Sequence, residues 1–438
     1  MGFKGDRVRF NVGGTKFETT ATTLASAGPD SFFGPLLDGN WNLRPFSDEE
    51  IFVDRNPACF SIFLDLLRTG ELYIPKKVPE DLLYREALFY GLLDHVRAAK
   101  WGRFDGRTMM RLTSTVKSRG LEQGTMVRAS DDGGFCVAHG SVVHVYDWML
   151  REHPSIELNH QKVNDIGWAD PKSVVVTAPK GMGLFDSSTG ELKHQFTVDS
   201  QGYHVKGFNA GPLCFGSDQK IFSTCRLRDD ENGIGVWDGE TGKQVDFWHE
   251  SDEPLGRAHR LQWLDQGSCL LAAIHARSNR NPYRHFPYNL CMLDTRDKKV
   301  AWSWLGSPDL TSRERVWDAV AMEDKSLIAV TDEYYEGLGF LDLRFPRSVR
   351  WGPRRSTGVN MTSEGCHPKV EYYQGQLLLS TDDYISVFQG ADFIPKLRLQ
   401  HGDGAFICDF SVGGDRIFTL HHRENRLDVW EAPRPPIL

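Results

Sequence analysis

RVRFNVGGTKF, residues Arg7–Phe17, is the stretch from which the first third of the chain can be read. Val8, Phe10 and Val12 alternate with Arg7, Arg9 and Asn11, the period of a strand with one buried face. Gly13-Gly14 supplies the positive φ values of a tight two-residue turn, and Lys16–Thr20 can return as the partner strand. A lone hairpin is marginal in water, so its apolar face must dock on the segment C-terminal to it.

That segment reads as short helices. Ser31 can cap SFFGPLL, with Gly39 placed to end it. Phe32, Phe33, Leu36 and Leu37 are too many large apolar groups for one face of so short an element, so core and partner surface both remain open for them. Ile51-Phe52-Val53 reads as a strand. Asn56-Pro57 then starts a helix with Phe60, Phe63, Leu64 and Leu67 at helical spacing, stopped by Gly70. Pro79 opens another, with Leu82, Leu83, Ala87, Leu88 and Tyr90 expected on its apolar face before Gly91. Leu92–Trp101 makes a third.

The ordered blocks FNVGG-x-x-F-x-T, TL, S-x-F-x-x-LL, IFVDRNP-x-x-F, LRTGELYIP and EALFYGL span about 95 residues. In this order they resemble the BTB/POZ domain of the potassium-channel tetramerisation type. The resemblance implies a domain that self-associates into tetramers or pentamers and that, in many relatives without membrane spans, docks cullin-3 as a ubiquitin-ligase adaptor. Some members oligomerise without cullin. Phe32, Phe33, Leu36, Leu37 and the turn residues Asp54, Arg55 and Asn56 are the candidates for oligomer or partner contacts. Some channel-type relatives hold zinc through a His/Cys cluster late in the domain; here that region has only His95 and no cysteine, so no zinc is expected.

Residues 125–432 change character, with short β-rich runs, Gly and Asp turns and abundant Trp. A unit recurs at Val145 (VYDWML), Leu184 (LFDSSTGEL), Val236 (VWDGETGKQ), Met292 (MLDTRDKKV), Phe340 (FLDLRFPRS), Val387 (VFQGADF) and Val429 (VWEAPRP). Apolar runs such as SVVVTA, CLLAAI and QLLLST precede these units. A spacing of about 40 to 55 residues is that of four-stranded propeller blades, and seven anchors predict seven blades. The pattern resembles a divergent WD-repeat or YVTN-like propeller, with Trp-Asp only at Trp237-Asp238 and Trp317-Asp318. The expected organisation is therefore multidomain: a small α/β BTB/POZ domain over 5–103, a basic linker over 104–124 and an all-β propeller over 125–432.

Composition narrows the function. With 40% hydrophobic and 25% charged residues there is material for real cores. No apolar run nears the roughly 18 residues of a membrane span. The start, MGFKGDRVRF, has no apolar core of a secretion signal, and a cytoplasmic or nuclear chain is expected. A net charge of −8 argues against a general nucleic-acid or membrane-surface binder. The eight cysteines stand singly, without C-x-x-C pairs, and read as buried thiols of a reducing compartment.

No G-x-S-x-G elbow, phosphate loop or H-E-x-x-H pair occurs, so an enzyme is not expected, and neither cofactor nor metal is implied. Asp229–Gly233 lacks the ligand pattern of a calcium loop, and His275, His421 and His422 read as structural. The insertion HARSNRNPYRHFPY offers Arg277, Arg280, Tyr283, Arg284, His285 and Phe286, a mixture enriched at interfaces. The expected function is a non-enzymatic substrate-recognition adaptor of a cullin-3 ligase that binds itself through the BTB domain and an unknown protein client through the propeller. The alternative is a homo-oligomeric scaffold that regulates a channel, receptor or transcription complex without cullin.

Overall fold

The computed structural model describes residues 7–29, 31–37, 50–101, 110–117, 122–159, 161–200, 203–205, 208–226, 232–249, 258–274, 290–304, 316–332, 335–336, 338–344, 349–352, 355–356, 366–381, 383–389, 393–400, 405–422 and 425–431. They fall into two compact units, Met1–Thr108 with Glu431–Leu438, and Met109–Trp430.

In the first unit β1 (Arg7–Val12) and β2 (Thr15–Thr20) form the hairpin, and β3 (Ile51–Val53) lies parallel to β1 on its other side. The two turn glycines have φ of 53° and 87°. Gly13 is doubly constrained. Its N–H donates to Val53 O at 3.0 Å, and a Cβ there would sit 2.5 Å from Arg55 O. Any side chain would therefore push the hairpin off β3.

Helices α1 (Ala21–Ala25), α2 (Gly34–Leu37), α3 (Pro57–Thr69), α4 (Glu80–Phe89) and α5 (Leu93–Trp101) complete the unit. Asn56 caps α3 by accepting from the N–H groups of Ala58 and Cys59, Pro57 occupies the first turn, and Gly70 ends the helix at φ 77°. The apolar face of β1 docks through Phe10 into a ring cluster of Phe33, Phe60, Phe63 and Tyr90, all fully buried. One expectation fails. Leu88 is 59% exposed, because Leu83, Ala87 and Tyr90 keep the inward spacing of a 3.6-residue helix and Leu88 stands about 100° round from Ala87.

The second unit is a ring of seven four-stranded antiparallel sheets. Blades 1 to 6 begin at Gly124, Asp165, Asn209, Ala258, Val316 and Val370, each with its strands in chain order from the centre outward. The first strand of each blade meets that of the next, and blade 7 meets blade 1, so the ring closes. Apolar layers fill the clefts between blades, as where Phe222, Val236 and Trp248 of blade 3 face Leu261, Leu270 and Leu293 of blade 4. Trp237 is wholly buried, stacks near Phe208 and donates its indole N–H to Thr197 O at 2.9 Å.

The repeat seen in the sequence marks one structural position, the end of the third strand. Its Asp caps the turn to the fourth: Asp186 accepts from Ser188 and Thr189, Asp238 from Thr241, Asp294 from Arg296 and Asp342 from Arg344. Hydrogen bonds from the Arg296 and Arg344 side chains, then backbone N–H groups, lower Asp294 and Asp342 from 3.8 to about 2.

The segment expected to be a linker is not wholly one. Strand β4 (Arg111–Lys117) is the fourth and outermost strand of blade 7, beside Ile407–Gly413, Arg416–His421 and Arg426–Glu431. The first strand of the unit in sequence thus completes its last sheet. Its alternation was masked by charge, because an outermost strand exposes most of its residues. A polar chain fastens it. Thr113 donates to Val429 O at 3.2 Å and Thr115 to Asp428 Oδ1 at 2.9 Å. Asp428 is fully buried, with His421 Nε2 2.9 Å from its other oxygen. Trp430 donates to Thr419 Oγ1, 3.3 Å from the same His421 nitrogen.

Two outcomes test this closure and its turns. Asp428→Asn leaves His421 and the β4 hydroxyl without their anion and costs about 3 kcal/mol, whereas Thr115→Val costs about 1 kcal/mol. Both lower the urea midpoint of the propeller, and unchanged midpoints would mean β4 does not close the ring. The turn carboxylates lie below their unfolded range, so their stabilisation is complete above about pH 4 and disappears as pH falls to about 2. Melting curves of Asp342→Asn should therefore trail the parent at pH 7 and converge with it near pH 2.

Candidate functional site

Two surfaces carry the chemistry that could serve a partner, one on each unit. On the first, the DRNP turn is tied down from below. Glu86, almost wholly buried on α4, accepts from Asn56 N–H at 3.4 Å and faces Arg55 Nη1 at the same distance. The Arg55 guanidinium lies 3.7 Å over the Phe89 ring, a cation–π contact that holds an exposed cation flat against an exposed aromatic. Asp54 is exposed, and Asn56 is half-buried and occupied with capping α3.

Of the four apolar candidates, Phe33 and Leu36 are buried in the domain's own core. Phe32 is half-buried, its ring against Phe33, Phe89 and Tyr90. Leu37 lies in α2, and its side chain is outside the described residues. The exposed apolar groups are instead Phe52 (65%), Tyr73 (80%), Leu88 (59%) and Phe89. The signal for Phe52 was available: alternation in a three-residue strand with Val53 inward places Phe52 outward.

On the propeller, Arg277, Arg280, Tyr283, Arg284, His285 and Phe286 lie outside the described residues, as do Asp229, Asp230 and His275. His421 belongs to the closure chain of blade 7. None of the eight cysteines forms a disulfide; seven are buried and Cys408 is half-buried. Burial, then the nearby Glu86 carboxylate, pushes the Cys59 thiol up to about 11, and burial takes Cys225 to about 12, so neither is a nucleophile near neutral pH. Among the described residues no group of three His, Cys, Asp or Glu is placed to hold a metal ion.

The site that sequence reasoning missed is the channel at the ring's centre, a cavity of about 450 Å³ to which all seven first strands contribute. Three Asp residues repeat one device there. Asp165, Asp318 and Asp409 each take the N–H of their own next residue on one oxygen. Their other oxygen accepts from the first strand of the following blade, at Leu213, Val370 and Val127, at 2.9 to 3.0 Å. Each carboxylate thus pins two blades.

Cations then link the pins. Arg128 of blade 1 reaches Asp409 and Asp165, both at 2.8 Å, and so spans blades 7, 1 and 2. Lys369 of blade 6 holds Asp409 at 2.7 Å and Glu371 at 3.0 Å. Arg260 of blade 4 bonds Asp318 at 2.6 Å and Val370 O at 2.7 Å. Burial alone would raise the Asp409 carboxyl, but Lys369 and Arg128 outweigh it and hold it below the usual range. Buried charges this well paired form a rigid belt.

The model of the At2g24240-like C-terminal beta propeller matches residues 118–432, and that of the BTB/POZ domain residues 8–99. BTB/POZ domain-containing protein At2g24240 of Arabidopsis thaliana is 52% identical over 450 aligned residues covering 100% of both chains. BTB/POZ domain-containing protein At4g30940 of the same plant is 51% identical over the same full coverage. BTB/POZ domain-containing protein KCTD3 of Homo sapiens is 44% identical over 93 residues, 21% of this chain and 11% of that one. Among solved structures, the Cps50 (Swd1) beta-propeller domain of Myceliophteria thermophila superposes with a TM-score of 0.51 at 11% identity, covering 74% of this chain and 99% of that one. That likeness is one of fold.

Arg128→Met strips two buried carboxylates of their shared cation and is expected to cost about 3 to 5 kcal/mol, seen as a drop in the propeller's urea midpoint. A loss below about 1 kcal/mol, the ordinary worth of an exposed pair, would show that the belt is solvated.

Proposed function

This chain belongs to the family of BTB/POZ proteins with an At2g24240-like C-terminal propeller, and we propose on that premise that it is a non-enzymatic adaptor of a cullin-3 ubiquitin ligase. The architecture joins two protein-interaction domains, which is that of an adaptor or scaffold. The observation that carries the reading is the apolar surface of the first unit. Phe52, Leu88 and Phe89 are exposed although Phe10, Phe33, Phe60 and Tyr90 already complete a core without them. Such groups on a small domain mark a surface that another protein covers.

In this reading the BTB domain gathers four or five copies and docks cullin-3, with the Arg55–Phe89 stack in the contact. The propeller holds the client. Linking several weak propeller contacts raises avidity by about a hundredfold or more where the client presents repeated sites. The mechanism is proximity, and no residue transfers a bond. Eight cysteines without a disulfide suit the cytoplasm or nucleus as its compartment.

Native mass measurement of the full chain should give a tetramer or pentamer, and Phe52→Asp with Leu88→Asp should shift it toward monomer. A parent chain monomeric at micromolar concentration would overturn self-association. Purified cullin-3 should co-precipitate with the parent and lose at least about tenfold in affinity to Arg55→Glu. Assembly without cullin-3 capture would leave the chain a scaffold.

A further inference from the structure

We propose that the joint between the last blade and the first is built to loosen on acidification, with His139 of blade 1 as its trigger. This goes beyond the adaptor reading and does not depend on it.

His139 ends the second strand of blade 1, Phe135–His139, and by alternation shares the face of Phe135 and Val137. That face meets Phe418 and Leu420 of blade 7 in one apolar layer, so it is the seam at which the ring closes. His139 is 3% exposed, and both of its ring nitrogens are buried with no hydrogen-bond partner among the described residues. Packing leaves no room for one beside Gly124, where a Cβ would stand 2.8 Å from Leu420 Cδ1 and 3.3 Å from His139 Nε2. A neutral imidazole can be tolerated there. An imidazolium would bury a full charge and two N–H donors with nothing to accept them.

The surrounding groups do not relieve that charge. His144, on the next strand, has its ring centroid 5.2 Å away with the planes at 82°. Its Nδ1 is 2.8 Å from Glu152 Oε1, so a proton on His144 has a carboxylate to share it. A charged His144 would then repel a second proton on His139. Glu122 lies over Gly140, one residue beyond, and makes no hydrogen bond to His139. From blade 7 come Leu420 and Cys408, whose thiol bonds Leu420 O at 3.4 Å and is kept protonated by burial. His421, the partner of Asp428, follows Leu420 and so stands on the other face of its strand. Burial, then His144, pushes the His139 imidazole from 6.5 down to about 4. The unfolded chain therefore binds more protons between those values, and stability falls as pH drops from about 6.5 to about 4.

Urea unfolding of the full chain at pH 7 and pH 5, parent beside His139→Leu, tests this. The parent's folding equilibrium should fall about twentyfold more than the variant's over that interval. Equal losses in the two chains would overturn the proposal. Amide hydrogen exchange locates the effect: at pH 5 blades 7 and 1 of the parent should lose protection before blades 3 and 4. Loss spread evenly over the blades would equally overturn it. A third measurement uses the parent alone and so does not depend on any variant folding. Exchange of the His139 C2 hydrogen, followed by mass spectrometry, should show no titration above about pH 5, whereas a midpoint near the ordinary value of about 6.5 would end the proposal.

Discussion

A propeller is stable only if its last sheet is joined to its first, because seven twisted sheets packed side by side otherwise leave two apolar faces in water. Here that constraint is met by β4, which precedes blade 1 in sequence and lies outermost in blade 7. The join relies on backbone pairing and on one buried carboxylate, Asp428, shared between the β4 hydroxyl of Thr115 and the imidazole of His421. An exposed strand with few apolar contacts would hold weakly by burial alone. The buried anion makes its position specific, since a β4 displaced along its neighbour would leave Asp428 short of a donor.

The channel belt answers the same constraint from inside. Between blades the apolar layers hold by burial, which is strong but tolerant of sliding. The Asp165, Asp318 and Asp409 pins are directional, each demanding one N–H from its own strand and one from the next blade. Arg128 and Lys369 then couple blades 6, 7, 1 and 2, the arc that contains the closure. Among the described residues, blades 4 and 5 contribute Arg260 and the rings of His259 and Trp317, and His367 of blade 6 stacks on Trp317.

The first unit solves a different problem. Its three-stranded sheet is too small to be stable by itself, and the ring cluster around Phe10 and Tyr90 joins it to α3 and α4. With that core complete, Phe52 of β3 and Leu88 and Phe89 of α4 face outward. Glu86 of α4 fixes the turn between β3 and α3 and holds Arg55 over Phe89, so that contact is arranged before any partner arrives.

Much of this was legible in the order of residues. Gly13-Gly14, Asn56-Pro57 and Gly70 determined the hairpin and α3 because turn and cap geometry are local. The strand-end anchors made the blade count legible because five of the seven carry an Asp that accepts from a backbone N–H within the next four residues. The roles of Phe33 and Leu36, open on sequence, became core, while Leu88 went outward, since one helical residue is a rotation of about 100° and spacing tolerates one misplacement. Tertiary structure alone decided the rest. Thr115 and Asp428 are 313 residues apart, and Arg128 and Asp409 281 apart, so no local pattern marks their meeting. The same holds for Trp317, His259 and His367, which meet only because the ring brings blades 4, 5 and 6 together at its centre. Short-range geometry wrote the elements, and closure of the ring chose which of their side chains face one another.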